Sequence, residues 1–393
     1  MTNAAPQMKP WIAAMHAYVP GKSSLGATAG AVPVVARLSS NENPWGPSPK
    51  AVAAMQAVLA DGHRYPDPAS TALRAALGTA HGIDPAHIIC GTGSDEILHM
   101  VASAFAGVGD EIIHVRHGFA VYDGATRRVG ATPVVVPDVD YAADVGAVLA
   151  AITPATRIIY LANPNNPTGT LLPAADIRRL IAGVPGDVIL VLDCAYAEFA
   201  AGDYEDGLAL AQTLPNLVVT RTFSKIHGLA AQRVGWAAAP LAIIAAMERV
   251  RGPFNVTTTG QAAALASLAD TAHIAAVRDE TTRLRDWLSG EIAAISTIGG
   301  NTGLRAIPSA CNFILVEFPE HGPVTASAAN DHLLSQGIIC RYLAVQDMPR
   351  CLRISIGTQN ETRTVAAALR DYVEGASGAI GAIAGETAAE VSG

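Results

Sequence analysis

Short runs of β-branched and aliphatic residues recur through the first two thirds of the chain, at 87–90 (HIIC), 111–115 (EIIHV), 132–136 (TPVVV), 157–161 (RIIYL), 188–192 (VILVL) and 217–220 (LVVT). Each run is nearly continuous in apolar residues and does not alternate. A strand of that kind must be covered on both faces, as in a parallel sheet packed between helices. Helical patterns fall between several runs, for example 96–106, 144–152 and 174–183, and 48–60 opens a helix with Ser48 as N-cap and Pro49 at the first helical position. Strand, helix and strand in repeated order predict an α/β fold.

The rest of the chain divides around that block. Residues 1–45 hold Pro6, Pro10, Pro20, Pro33 and Pro44 and no long helical period, so they are expected to form an extended N-terminal arm. Residues 46–270 make the large domain. The segment 271–293 reads as a long helix that opens a smaller α+β domain to residue 373, with strands at 312–318, 338–343 and 351–356 and a helix at 324–336. The Gly/Ala-rich stretch 374–393 is expected to be a loose, flexible tail. No internal repeat is visible.

Composition excludes several classes. Half the residues are apolar and 15% are charged, which excludes a mostly disordered chain. Apolar runs such as 241–247 fall far short of the ~20 residues that span a bilayer. The start, MTNAAPQMKPW, has no basic stretch followed by a long apolar one, so no secretory leader is expected. A net charge of −8 argues against a nucleic-acid partner. Cys90, Cys194, Cys311, Cys340 and Cys351 form no CxxC pair, which suits reduced thiols in a cytoplasmic protein.

Four loops that follow strands carry chemistry. Gly91-Thr92-Gly93-Ser94-Asp95-Glu96 leads from a strand into a helix. A glycine turn there lets backbone N–H groups meet a phosphate at a helix N-terminus; equally, it is an ordinary turn with Ser94 or Asp95 as N-cap. It lacks the third glycine of a dinucleotide fingerprint and the lysine of a Walker loop. Asn163-Pro164-Asn165-Asn166-Pro167-Thr168-Gly169 forces a rigid turn at a strand's carboxyl end, where open α/β sheets bind ligands. Asp193 ends a strand, with Tyr196 three residues on; a carboxylate there is costly unless paired, or else it caps a helix. Lys225 follows the strand 217–220, beside Thr222 and Ser224.

That lysine stands out. Of 26 basic residues only Lys9, Lys22, Lys50 and Lys225 are lysines. Unlike arginine, lysine can deprotonate and bond a carbonyl carbon. His114 and His117 have a spacing that suits a metal, yet no Cys or carboxylate joins them locally, and no metal is expected. No GxSxG nucleophile elbow is present.

A phosphate cradle, an asparagine, an Asp–Tyr pair and a lysine are together what a pyridoxal phosphate site needs: an anchor, a carboxylate for the ring nitrogen and an amine for the aldehyde. On Asn-Pro-Thr-Gly at 166–169, Asp193-x-x-Tyr196 and Ser224-Lys225 in this order, the chain resembles the fold-type I, aspartate-aminotransferase-like family of PLP-dependent transferases, over about residues 11–372. Within it the sequence is most similar to the histidinol-phosphate aminotransferases, on 18–22 (YVPGK), 38–49 (LSSNENPWGPSP), 64–67 (RYPD), 91–98, 193–199 (DCAYAEF), 222–236 and 351–358. The resemblance implies a large domain with a mostly parallel central sheet sandwiched by helices, plus a smaller C-terminal α+β domain.

The resemblance also implies roles. Lys225 bonds the cofactor aldehyde and later moves the proton between substrate and cofactor carbons. Asp193 pairs with the ring nitrogen; Tyr196 and Asn166 bond the ring oxygen; Phe119 stacks on the ring. Ser94 and Asp95 offer N–H groups to the phosphate, with Thr222, Ser224 and Arg233 around it. Tyr65 reaches the phosphate across the interface of a homodimer. Arg353 grips an anionic group of the substrate, Arg341 adds a second positive charge, and Tyr18 and Asn41 line the same pocket. The implied reaction exchanges the amino group of L-histidinol phosphate, a small-molecule donor, with the 2-oxo acid 2-oxoglutarate.

The chain departs from the family pattern in places. His117-Gly118-Phe119-Ala120-Val121-Tyr122 stands where Pro-x-Tyr is usual, Cys194 where Glu is usual, and Ala231-Gln232 where Gly-Leu is usual. These changes leave open an aromatic amino-acid aminotransferase, or one enzyme with both activities. A decarboxylase or lyase on the same scaffold also stays open, since sequence does not show how a substrate is oriented. A cofactor-sensing regulator would carry an added DNA-binding domain, which the arm does not supply.

Overall fold

The computed structural model describes residues 5–15, 17, 32–300 and 302–391. They form two compact units. Of the described residues, the larger takes in 5–15, 17, 47–166 and 171–271; the smaller takes in 32–46, 167–170, 272–300 and 302–391.

The larger unit is built on a seven-stranded sheet. Its strands are β1 (Ile88–Gly91), β2 (Glu111–Val115), β3 (Thr132–Val136), β4 (Thr156–Ala162), β5 (Ile189–Asp193), β6 (Leu217–Thr222) and β7 (Gly235–Ala238). The order is β1-β7-β6-β5-β4-β2-β3. β6, β5, β4, β2 and β3 pair in parallel, and β7 runs antiparallel to both β6 and β1. β1 therefore points the same way as the parallel strands, and six carboxyl ends lie along one edge. The continuous apolar runs of β1, β5 and β6 are buried at every position, as their pattern requires; the run at 132–136 is not, because β3 is an edge strand, and Val135 is half exposed. Side chains of alternate direction feed two separate cores. Ile159, Leu161, Leu190, Leu192 and Val219 enter one; Ile158, Tyr160, Val191 and Val218 enter the other. β7 escapes the reading from sequence, because Gly-Trp-Ala-Ala is short and small, with none of the β-branched residues that mark its neighbours.

The smaller unit holds a four-stranded antiparallel sheet of β8 (Arg305–Ile307), β9 (Phe313–Glu317), β10 (Arg341–Tyr342) and β11 (Cys351–Ser355), in the order β8-β9-β11-β10. The helix Thr271–Ser296 covers it with Leu284, Leu288 and Ile292, a four-residue spacing that puts all three on one face. Part of the expected arm belongs here. Ala36–Arg37 pairs in parallel with Ile338–Ile339, and Leu38 is buried in this unit's core. Apolar residues among the prolines supply that strand, so the expected arm is anchored by buried Ala36, Leu38, Ser39 and Asn41, while Val32, Val34 and Val35 stay exposed. The final helix runs Gln359–Val391, taking in residues 374–391, which the Gly/Ala content had marked as a loose tail. Alanine is the best helix former, and it dilutes the cost of the glycines there.

Gly337 closes the helix Ala326–Ser335 in the left-handed region, φ 78°. A Cβ there would run into the Pro33 carbonyl oxygen, just before the strand Ala36–Arg37, whose segment donates from Val35 N–H to the Gly337 carbonyl at 2.8 Å. Gly337→Ala should therefore destabilise the protein by about 1–3 kcal/mol, read as a lower midpoint in denaturant, with new proteolytic cleavage between 32 and 40. Wild-type stability and resistance would show that the strand does not depend on this close approach.

Candidate active site

The functional loops follow carboxyl ends of strands in the larger unit. The helix Gly93–Phe105 begins directly after β1, so Ser94 and Asp95 lie inside its first turn and neither is its N-cap; Thr92 holds that position. Their backbone N–H groups belong to the first turn, which has no intrahelical acceptors. Gly235 of β7 pairs with Gly91 on one side and Thr222 on the other. A Cβ on Gly235 would collide with the Ser94 nitrogen, and one on Gly93 would lie 2.5 Å from an Arg233 nitrogen. These two glycines keep open a cradle that side chains would fill. Arg233, at φ 51°, sends its guanidinium to Asp95 at 3.5 Å and to Ser224 Oγ at 3.3 Å. Ser224 is tied to Thr222, whose hydroxyl donates to it at 3.0 Å. Helix N–H groups, two hydroxyls and one guanidinium converge: a donor set for a phosphate.

Asp193 ends β5 and is 3% exposed. It does not cap a helix. Tyr122 Oη donates to one carboxylate oxygen at 2.9 Å and Thr220 Oγ1 to the other at 3.0 Å. Burial pushes the Asp193 carboxyl up from its ordinary 3.8 to about 6, against the pull of Tyr122, Thr220 and the Ala195 backbone N–H. A buried carboxylate held at that cost suits a cationic N–H partner. Lys225 Nζ lies over the ring of buried Tyr196, 5.6 Å from its centroid. Phe119 is half-buried and meets Tyr122 edge-on, centroids 5.8 Å apart. Its loop is held by Asn165, whose amide donates to the His117 carbonyl at 2.8 Å. His117 pairs with Asp138 at 2.7 Å, a carboxylate that sequence distance concealed. Asn163 is occupied structurally, with its side-chain oxygen accepting from Leu172 N–H; Asn166, at the end of the same stretch, is half-buried. Tyr65 is 82% exposed and stacks on Phe254 at 4.5 Å.

In the smaller unit Arg341 and Arg353 stand directly opposite each other on β10 and β11, and both are buried. Two like charges at facing positions destabilise a sheet unless an anion offsets them. Arg353 lies over the Phe313 ring at 5.3 Å and donates to the Ser39 carbonyl at 2.7 Å. Asn41, at φ 56°, accepts from Ser355 Oγ at 2.9 Å, while Asn312 donates to its carbonyl at 2.9 Å. Tyr18 lies outside the described residues. Sequence reasoning missed Tyr122, Thr220, Gly235 and Ser39. The first two are ordinary core residues by type, and nothing local marks them as neighbours of Asp193.

A family model described as aminotransferase class I and II matches residues 33–369. A histidinol-phosphate aminotransferase of Sphingopyxis alaskensis is 51% identical over 95% of this chain and all of its own length; one from Erythrobacter litoralis is 49% identical over 96% of this chain and all of its own. The crystal structure of histidinol-phosphate aminotransferase from Sinorhizobium meliloti, in complex with pyridoxal 5'-phosphate, superposes with a TM-score of 0.86 at 30% identity, covering 95% of this chain and all of that one. The chain belongs to the class I and II aminotransferases, with the fold-type I architecture.

The raised Asp193 carboxyl has a consequence for stability. Its folded value lies above the unfolded one, so the native state holds the proton longer and stability falls as pH rises from about 4 to about 6. Above that range the full penalty remains, up to about 3 kcal/mol. Asp193→Asn should therefore melt higher than wild type at pH 8 when both are free of cofactor, with the gap closing toward pH 4. A gap that does not change with pH would remove the buried charge as its cause.

Proposed function

We propose that the chain transfers the amino group of L-histidinol phosphate to 2-oxoglutarate, giving imidazole-acetol phosphate and L-glutamate, a step of histidine biosynthesis. The observation that carries this reading is the buried pair Arg341 and Arg353, set beside near 50% identity to enzymes of that name. Two buried guanidinium groups suit a phosphate group near a charge of −2, and equally a carboxylate of glutamate.

Pyridoxal 5'-phosphate, when bound, supplies an aldehyde that takes up an amino group and a ring that stores electrons. The residues of the larger unit fit it: the cradle kept open by Gly93 and Gly235 for the phosphate, the buried Asp193 carboxylate for the ring nitrogen, and an amine at Lys225. Ser94 and Asp95 N–H groups, Thr222, Ser224 and Arg233 hold the phosphate. Phe119 would cover the ring face, and Tyr196 and Asn166 would donate to the ring oxygen. Lys225 would hold the cofactor through its amine and, as a free amine, would take the proton from the substrate carbon. Arg353 and Arg341 would orient the substrate by its anionic group, with Asn41 in the same unit; Tyr18 is a further candidate for binding it.

The active unit on this reading is a homodimer in which Tyr65 serves the partner's phosphate. Tyr65 is exposed at the surface and stacks on Phe254, with Leu59 also exposed. Sedimentation at micromolar concentration should give a dimer; a monomer with full activity would remove the shared site. Among the described residues no helix is long and apolar enough to cross a membrane. A biosynthetic role and buried thiols without disulfides suit a cytoplasmic enzyme.

The test is a single half-reaction followed by absorbance. Protein loaded with the cofactor should convert to the pyridoxamine form at low L-histidinol phosphate and only at high L-phenylalanine, and Lys225→Ala should stay folded and convert neither. Efficient conversion by phenylalanine with none by histidinol phosphate would make this an aromatic aminotransferase. Wild-type turnover by Lys225→Ala would overturn the lysine's role.

A further inference from the structure

We propose that Tyr122 is the positioning residue of the cofactor half-site: its hydroxyl fixes the plane and charge of Asp193, and its ring sets the attitude of Phe119. The inference rests on the pyridoxal phosphate reading and adds a residue to which nothing in the sequence gives a role.

Tyr122 sits on the helix Val121–Arg128 and is fully buried. Packing alone does not call for tyrosine there. Phenylalanine would fill the same space without burying a hydroxyl, which costs free energy unless it finds a partner. The partner is Asp193, at 2.9 Å. The ring cannot swing away from it. It stacks on Tyr160 with centroids 5.0 Å apart and planes 9° from parallel, and Tyr160 is itself anchored by its hydroxyl to the Leu98 carbonyl at 2.8 Å. On its other side the ring meets Phe119 at 89°, centroids 5.8 Å apart. One side chain thus touches both groups that would contact the cofactor ring, one at its nitrogen and one on its face.

The hydroxyl also acts on charge. Asp193 is opposed by burial and by the Asp95 carboxylate, and is supported by Tyr122, Thr220 and the Ala195 N–H. Cys194 and Tyr160 face the pair with neutral groups, their thiol and phenol pushed up by burial, and the His114 ring lies 6.4 Å from Tyr122. Removing the Tyr122 hydroxyl withdraws one support. The carboxyl then holds its proton to higher pH, and a protonated carboxyl cannot pair with a ring N–H.

The experiment titrates cofactor-free protein with pyridoxal 5'-phosphate from pH 5.5 to 8.5, read by absorbance. Tyr122→Phe should bind about tenfold more weakly at pH 7, and the loss of affinity on acidification should begin at higher pH than in wild type. In an Asp193→Asn background the same substitution should change affinity less than twofold, because the group it acts through is gone. Unfolding of cofactor-free Tyr122→Phe checks that the fold is retained. Wild-type affinity and pH profile in Tyr122→Phe, or an equal loss in the Asp193→Asn background, would overturn the inference while leaving the cofactor reading intact. Wild-type protein that binds no cofactor would overturn both.

Discussion

Strands buried on both faces and running in one direction leave their loops nowhere to go but the two edges of the sheet. In the larger unit this constraint puts the carboxyl ends of β1, β2, β4, β5 and β6 on one edge, and with them the glycine turn, the Phe119 loop, the asparagine turn, Asp193 and Lys225. The antiparallel β7 is the exception that completes the site. It separates β1 from β6, and only glycine at 235 lets the helix start at Gly93 lie against it. The phosphate cradle is thus a product of sheet order as much as of the turn sequence.

Asp193 shows how the fold tolerates its chemistry. A carboxylate at the end of a wholly buried strand opposes stability, and three donors from separate segments reduce that opposition without abolishing it. Cationic partners gain what the cofactor-free fold loses, since a charge already desolvated and oriented needs no rearrangement on binding. Stability and binding are in tension at this one residue.

The smaller unit solves a like-charge problem by similar means. Arg341 and Arg353 face each other across two strands, with Arg353 held by the Ser39 carbonyl and laid over Phe313. The segment that supplies Ser39 is itself pinned through Ser355, Asn312 and the pairing of Ala36–Arg37. Guanidinium groups fixed in this way lose little freedom when they meet an anion.

Much of this was legible in the chain. The apolar runs determined six of the seven strands and the burial of all but the edge strand β3, because continuous hydrophobicity over four or five residues has few other uses. The scarcity of lysine and the order of Asn166, Asp193 and Lys225 determined the class of chemistry. Local pattern has no access to what lies across a sheet. The tertiary structure alone decided that Tyr122 and Thr220 hold Asp193, that Gly235 opens the cradle, that His117 meets Asp138, and that Ala36, Leu38 and Asn41 are buried. Each of these is a contact between segments far apart in sequence. Its partners are ordinary residues until the fold brings them within hydrogen-bonding distance.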